Sequence, residues 1–134
     1  MPSFSARSMA RLLSCEQQLV DVFLKVVERH DCTILCGLRS EERQRVAYEE
    51  GLSTKQWPDS MHNAKEGWMR SLAVDVAPYP IDWDDHQRFN RFAFYVLGVA
   101  DQMGVPLRWG GNWDGDAELD DQTFYDLVHF ELKL

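Results

Sequence analysis

The chain has four histidines, His30, His62, His86 and His129, and two of them stand where an imidazole could do chemistry. His62 lies in DSMHN, inside a stretch rich in turn-forming residues, and His129 interrupts the apolar run of DLVHFEL. Asp75 occupies the middle of AVDVA. A carboxylate flanked by Ala73, Val74, Val76 and Ala77 is costly to bury unless it is paired or bound to a cation. Zinc hydrolases use neutral imidazoles and a carboxylate around the ion, with one position open for water. Asp126 precedes His129 by three residues and could serve as general base on such a water, whose pKa a metal lowers toward about 7. Plainer readings stay open on the residues alone. Asp75 can be a salt-bridged or edge-strand residue. His129 can be a structural strand histidine, sharing a face with Glu131. His30 ends the first predicted helix, where it complements the dipole, and His86 sits in the polar first turn of another; both read as structural.

The elements that must position these residues follow from apolar spacing. Residues 8–29 carry Leu12, Leu13, Leu19, Val20, Phe23, Val26 and Val27 at intervals of three and four, which predicts one amphipathic helix. Cys32 to Leu38 reads as a strand. Ser40 followed by Glu41 and Glu42 predicts the start of a helix running to Gly51. Residues 52–71 show no periodicity and read as a long loop, of a length that is usually functional or mobile. Ala73 to Ala77 reads as a strand stopped by Pro78. A third helix is expected over about 85–103, then a strand over 105–109, a short helix or turn over 120–125, and a last strand over 128–132. The order predicts an α+β fold, a small antiparallel sheet of about four strands packed with helices.

Length and composition bound the rest. With 134 residues, 45% hydrophobic and 27% charged, the chain is expected to form one domain spanning 1–134. Fourteen basic against 22 acidic residues give a net charge of −8, which disfavours nucleic acid as a partner. No apolar run is long enough for a membrane span, and no signal peptide is read at the N-terminus. Synthesis in the cytoplasm and a monomeric state are expected. Cys15, Cys32 and Cys36 do not form a disulfide framework; Cys32 and Cys36 are expected on one face of their strand as small buried hydrophobes. Residues 111–121 alternate acidic side chains at Asp114, Asp116, Glu118 and Asp120 but lack the ligand spacing of an EF-hand, so calcium regulation is not favoured.

Four segments together carry a resemblance: S-M-H at 60–62, A-V-D at 73–75 followed by Val-Ala-Pro-Tyr-Pro, L-R-W-G-G-N-W-D-G-D at 107–116, and D-L-V-H-F-E at 126–131. They look like the zinc-dependent peptidoglycan peptidases, which include phage L-alanyl-D-glutamate endopeptidases and D-alanyl-D-alanine carboxypeptidases and dipeptidases, on the fold shared with the zinc domain of hedgehog proteins. The resemblance implies one Zn2+ held by His62, Asp75 and His129, with Asp126 as catalytic base. G-L-R-S at 37–40 resembles a family segment whose Arg lies beside the metal, so Arg39 is implied as oxyanion stabiliser. Ser60 is implied as a substrate or supporting hydrogen-bonder. Trp109 and Trp113 are expected as flat platforms for peptide and sugar at the cleft. Twelve residues separate His62 from Asp75, more than the family commonly carries, which puts substrate preference in play through Trp68, Met69 and Arg70. The expected activity is L-alanyl-D-glutamate cleavage in the peptidoglycan stem, of the endolysin type, acting on the wall after release. The alternatives are D-alanyl-D-alanine cleavage and a catalytically silent, metal-bearing wall-binding module.

Overall fold

The structure is a computed structural model that describes residues 2–65, 67, 69–112 and 126–133. The expected 120–125 turn and the acidic run from Asp114 to Asp120 lie outside the described residues.

The sequence periodicity predicts one helix where there are two, α1 (Ala6–Leu12) and α2 (Gln17–Val27). The break has a local cause. Ser14 Oγ donates back to the Arg11 carbonyl at 2.6 Å and accepts from the Leu38 N–H at 2.8 Å. The Glu16 N–H donates to the Ser71 carbonyl at 2.9 Å, and the Ser71 N–H donates to the Ser14 carbonyl at 3.0 Å. Backbone groups at 14–16 are therefore satisfied across the chain rather than along a helix. The apolar spacing runs through this break, so periodicity alone could not reveal it. Beyond it, Leu19, Val20, Phe23, Val26 and Val27 form the buried stripe of α2.

Helix α3 (Glu41–Glu49) starts as predicted, with Ser40 Oγ accepting from the Arg43 N–H at 3.2 Å and Glu41 and Glu42 in the first turn. Helix α4 (His86–Gln102) is capped by Asp85, whose side chain accepts from the Arg88 N–H at 3.2 Å. It buries Phe89, Phe92, Ala93, Val96 and Ala100. Four strands, β1 (Cys32–Cys36), β2 (Ala73–Pro78), β3 (Leu107–Trp109) and β4 (His129–Leu132), form one sheet in the order β1-β2-β4-β3. Every pairing is antiparallel. This is the α+β arrangement expected from the order of elements.

Strand alternation sorts the sheet into two faces. Ile34, Val74, Val76, Phe130, Leu132, Leu107 and Trp109 face the core, where α2 and α4 pack against each other and α4 meets β2 and β3. Asp75, His129, Glu131 and Arg108 project from the opposite face. The register sets Asp75 opposite His129, and Arg108 opposite Glu131. A bulge between Ile34 and Cys36 then changes the parity of β1. It brings Cys36 opposite Asp75 instead of on the face of Cys32. The expected shared face of the two cysteines is therefore wrong for Cys36, while Cys15 and Cys32 are buried as expected.

Two backbones approach closely at Gly110. Its N–H donates to the His129 carbonyl at 2.8 Å and its carbonyl accepts from the Asp126 N–H at 3.0 Å. A Cβ there would collide with the Asp126 carbonyl. Gly110→Ala is expected to destabilise the protein by about 1–3 kcal/mol, the usual range for overpacking, read as a lower thermal midpoint. Gly98, exposed in α4 with open space around its Cβ position, is the control: Gly98→Ala should leave the midpoint unchanged or raise it.

Candidate metal centre

His62 reaches the open face of the sheet from the loop before β2, and the loop holds it at several points. Ser60 Oγ accepts from the His62 N–H at 3.1 Å, and Asn63 Oδ1 accepts from the Ser60 N–H at 3.1 Å. The His62 carbonyl accepts from the Arg39 N–H at 2.8 Å, and the Leu72 N–H closes the neck of the loop onto the Met61 carbonyl at 3.0 Å. Ser60 thus shapes the turn that carries His62 while lining the cleft.

The three side chains singled out by the sequence converge. His62 Nε2 and His129 Nδ1 each lie 3.1 Å from Asp75 Oδ1, and 3.2 Å from one another. Proton accounting identifies what they present. His62 Nδ1 lies 2.8 Å from the Gly37 carbonyl, which can only accept, so Nδ1 carries the proton and the neutral ring offers a lone pair at Nε2. His129 Nε2 lies 2.8 Å from Glu131 Oε1, which leaves Nδ1 as the lone-pair atom. Two nitrogens and a carboxylate oxygen therefore face each other in a largely buried place. Such a set requires positive charge between its members, either protons or a metal ion, and its two imidazoles and one carboxylate suit a divalent transition metal.

The titration shifts express the same demand for a cation. Burial lowers the pKa of His62, but the Asp75 charge and hydrogen bond outweigh it and raise it to about 10. Burial opposes the protonated form of His129 as well, and hydrogen bonds to Asp75 and Glu131 raise its pKa. Asp75 feels a burial penalty that the two histidines overcome, holding its carboxyl well below the usual carboxylate range.

Asp126 stands beside this cluster, with Oδ2 4.0 Å from His129 Nδ1. Burial, then the Asp75 charge, pushes its pKa up. Asp75, Asp126 and His129 present ligand atoms within 4.8 Å of one another, and so do Cys36, His62 and Asp75. Arg39 Nη2 lies 3.7 Å from Asp75 Oδ2, and its Nη1 donates to Gln44 Oε1 at 2.9 Å. Gln44 is fully buried and also donates to Ser53 Oγ and the Lys55 carbonyl. It ties the cation to the cleft wall. The cleft has a volume of about 800 Å³ and is lined by Arg39, Ser60, His62, Asp75, Asp126 and His129, among others.

Sequence reasoning missed Cys36, Gln44, Asn63 and the partnership of Glu131 with His129. The bulge hid Cys36. Gln44 carried one available signal, a polar side chain between Arg43 and Arg45 on a helix that directly follows Arg39. One expected site residue is corrected. Trp109 is only 1% exposed and faces the core, where its Nε1–H donates to the Leu127 carbonyl at 3.0 Å and its ring meets Phe94 edge-on. Its position on β3 has core parity, so it offers no platform to the cleft. Trp113 and Trp68 lie outside the described residues, while Met69 and Arg70 are exposed. His30 packs against Tyr95, with ring centroids 4.1 Å apart, and His86 opens α4.

The model of the phage L-alanyl-D-glutamate peptidase family matches residues 2–133. The chain belongs to that family. A search of solved structures finds an L-Ala D-Glu endopeptidase, ChiX, from Serratia marcescens, similar at 28% sequence identity and a TM-score of 0.75. The alignment covers 97% of this chain and 89% of that one. No curated protein matches the sequence. The family is one of peptidases acting on peptidoglycan, and among the described residues no helix is long and apolar enough to cross a membrane.

The charge cluster sets the stability profile of the metal-free protein. The contribution of His62 is full below the ordinary histidine value of 6.5 and is lost as pH rises toward about 10. That of Asp75 is present above its ordinary 3.8 and is lost as pH falls below it. In chelator, the thermal midpoint should therefore be highest between about pH 4 and 6.5 and fall from there toward pH 10. Because a metal displaces these protons, the gap between metal-loaded and metal-free midpoints should widen with rising pH. A metal-free midpoint that rises from pH 6.5 to 9 would show that the imidazoles are uncharged in the fold.

Proposed function

We propose that this chain is a zinc-dependent endopeptidase that hydrolyses the bond between L-alanine and D-glutamate in the peptidoglycan stem, with His62, Asp75 and His129 as the metal ligands. The convergence of two imidazole lone pairs and a carboxylate oxygen within 3.1–3.2 Å carries the reading, and membership of the family gives the substrate. A zinc ion bound there supplies Lewis acidity and lowers the pKa of water at the site.

The chain's own groups do the rest. Asp126 takes the proton from the attacking water and returns it to the leaving amine of D-glutamate. Its carboxylate stands at the edge of the cluster, with Oδ2 4.0 Å from His129 Nδ1, where it can reach a water held there. Arg39 places positive charge beside the oxygen that becomes negative as the carbonyl carbon turns tetrahedral. Gln44 holds that guanidinium in place before the substrate arrives. The cleft leads the stem peptide past Ser60, which shapes the turn carrying His62. The enzyme works as a monomer on the cell wall, after synthesis in the cytoplasm.

Digestion of purified walls followed by mass spectrometry of the fragments tests the activity. New C-terminal alanine on the glycan side and new N-terminal D-glutamate (or its amidated form) are expected, and chelator should abolish both. Release of free D-alanine or of D-alanyl-D-alanine alone would point to the other branch of the resemblance, and no release at all to a silent wall-binding module.

The residue roles separate by metal content. His62→Ala should lose both zinc and activity, whereas His30→Ala and His86→Ala should retain both. Asp126→Asn should keep stoichiometric zinc and lose turnover by about 10²–10⁴-fold, the usual contribution of a general base. Arg39→Ala should keep zinc and lower kcat more than it raises KM. Full zinc occupancy in His62→Ala, read by elemental analysis, would sink the ligand assignment.

A further inference from the structure

His129 is gripped from behind. Its Nε2 lies 2.8 Å from Glu131 Oε1, and Glu131 Oε2 accepts from Arg108 Nη2 at 2.7 Å. Glu131 is 6% exposed and His129 8%. The sheet dictates this arrangement. His129 and Glu131 alternate along β4 onto the same face, and the β3–β4 register sets Arg108 opposite Glu131. Each carboxylate oxygen has its own partner, so the group cannot rotate without losing one of them.

We propose that Glu131 is a positioning residue that fixes His129 as an Nδ1 donor to the metal, and that Arg108 fixes Glu131. An ionised carboxylate only accepts, so the Nε2 facing it must carry the imidazole proton. Nδ1 is then bare and points at Asp75 and His62. In the opposite tautomer, lone pairs would oppose each other at Nε2 and Oε1, and an N–H would point into the place of the ion. The same device, a carboxylate behind a ligating imidazole, fixes ring orientation and raises ligand basicity at metal sites in general. Glu131 therefore does not serve the cleft as an alternative base. Its oxygens are engaged by His129 and Arg108, on the side of the ring away from Asp75 and His62.

The inference rests on the metal reading above, and its test separates the two. Zinc dissociation constants are measured by competition with a chromophoric chelator for the wild type, Glu131→Gln, Arg108→Met and the double variant. Thermal midpoints in chelator are recorded alongside. Glu131→Gln should raise Kd by about 10–100-fold while keeping a folded, cooperative transition. Arg108→Met should raise it less, and adding it to Glu131→Gln should change little, because both act through one contact. A second measurement needs no variant. Nitrogen NMR of the zinc-loaded wild-type imidazoles should find the His129 proton on Nε2. Wild-type zinc affinity in Glu131→Gln, or a proton on Nδ1, overturns the proposal while leaving the metal reading intact. A wild type that binds no zinc overturns both. A double variant whose losses simply add overturns the part assigned to Arg108.

Discussion

Three electron pairs aimed at one buried point are the constraint on which this molecule is organised. His62 Nε2, His129 Nδ1 and Asp75 Oδ1 repel one another unless a cation lies among them. Each is aimed by a partner on its far side or by strand register, so none can relax away at small cost. Gly37 and Glu131 fix which nitrogen of each ring is bare, and the β2–β4 register brings Asp75 to His129. The apolar face of the same sheet is tied into the core with α2 and α4. The stability of that core is what keeps the three groups in place when no cation lies among them.

The surrounding structure extends this logic outward. The bulge in β1 turns Cys36 toward the cluster, where it meets His62 and the Arg39 guanidinium. Burial raises the thiol's pKa, yet His62 and Arg39 together bring it below the ordinary cysteine value. Arg39 follows directly on the turn containing Gly37, whose carbonyl holds His62. The segment from Cys36 to Arg39 thus delivers a thiol, a carbonyl and a guanidinium to one place. Gly37 has no room for a side chain, since a Cβ would collide with the Arg11 carbonyl and Ser14 Oγ. The end of α1 and the link that follows it therefore pack against this segment.

Much of this was legible in the sequence. Asp75 announced itself because a carboxylate in an apolar strand demands a cation, and His62 and Asp126 because they sit in motif positions. The four strands followed from short apolar runs bounded by glycine and proline. The remainder depended on tertiary contacts. The α1–α2 break arises from pairing of residues 14–16 with Ser71, which no local pattern encodes. Trp109 was misplaced as a cleft platform, because strand parity sends its ring inward. Alternation already put Glu131 on the face of His129, but the contact between them is tertiary, and the link to Arg108 required the register of β3, a strand of three residues.

The hydrogen bond from Leu72 to the Met61 carbonyl closes the loop at its neck, and Arg39 holds the His62 carbonyl just inside it. Inside that neck Asn63 is tied to Ser60 and Gln44, and Ser71 to Ser14 and Ala73, so both anchors are fixed by contacts of their own. Between those anchors a change in length costs little, because loop closure costs grow only slowly with length. The long interval between His62 and Asp75 is then a free variable of the architecture. Diversity in sequence, or a grafted peptide, belongs between the buried Asn63 and Ser71, which keep the turn beneath it in place.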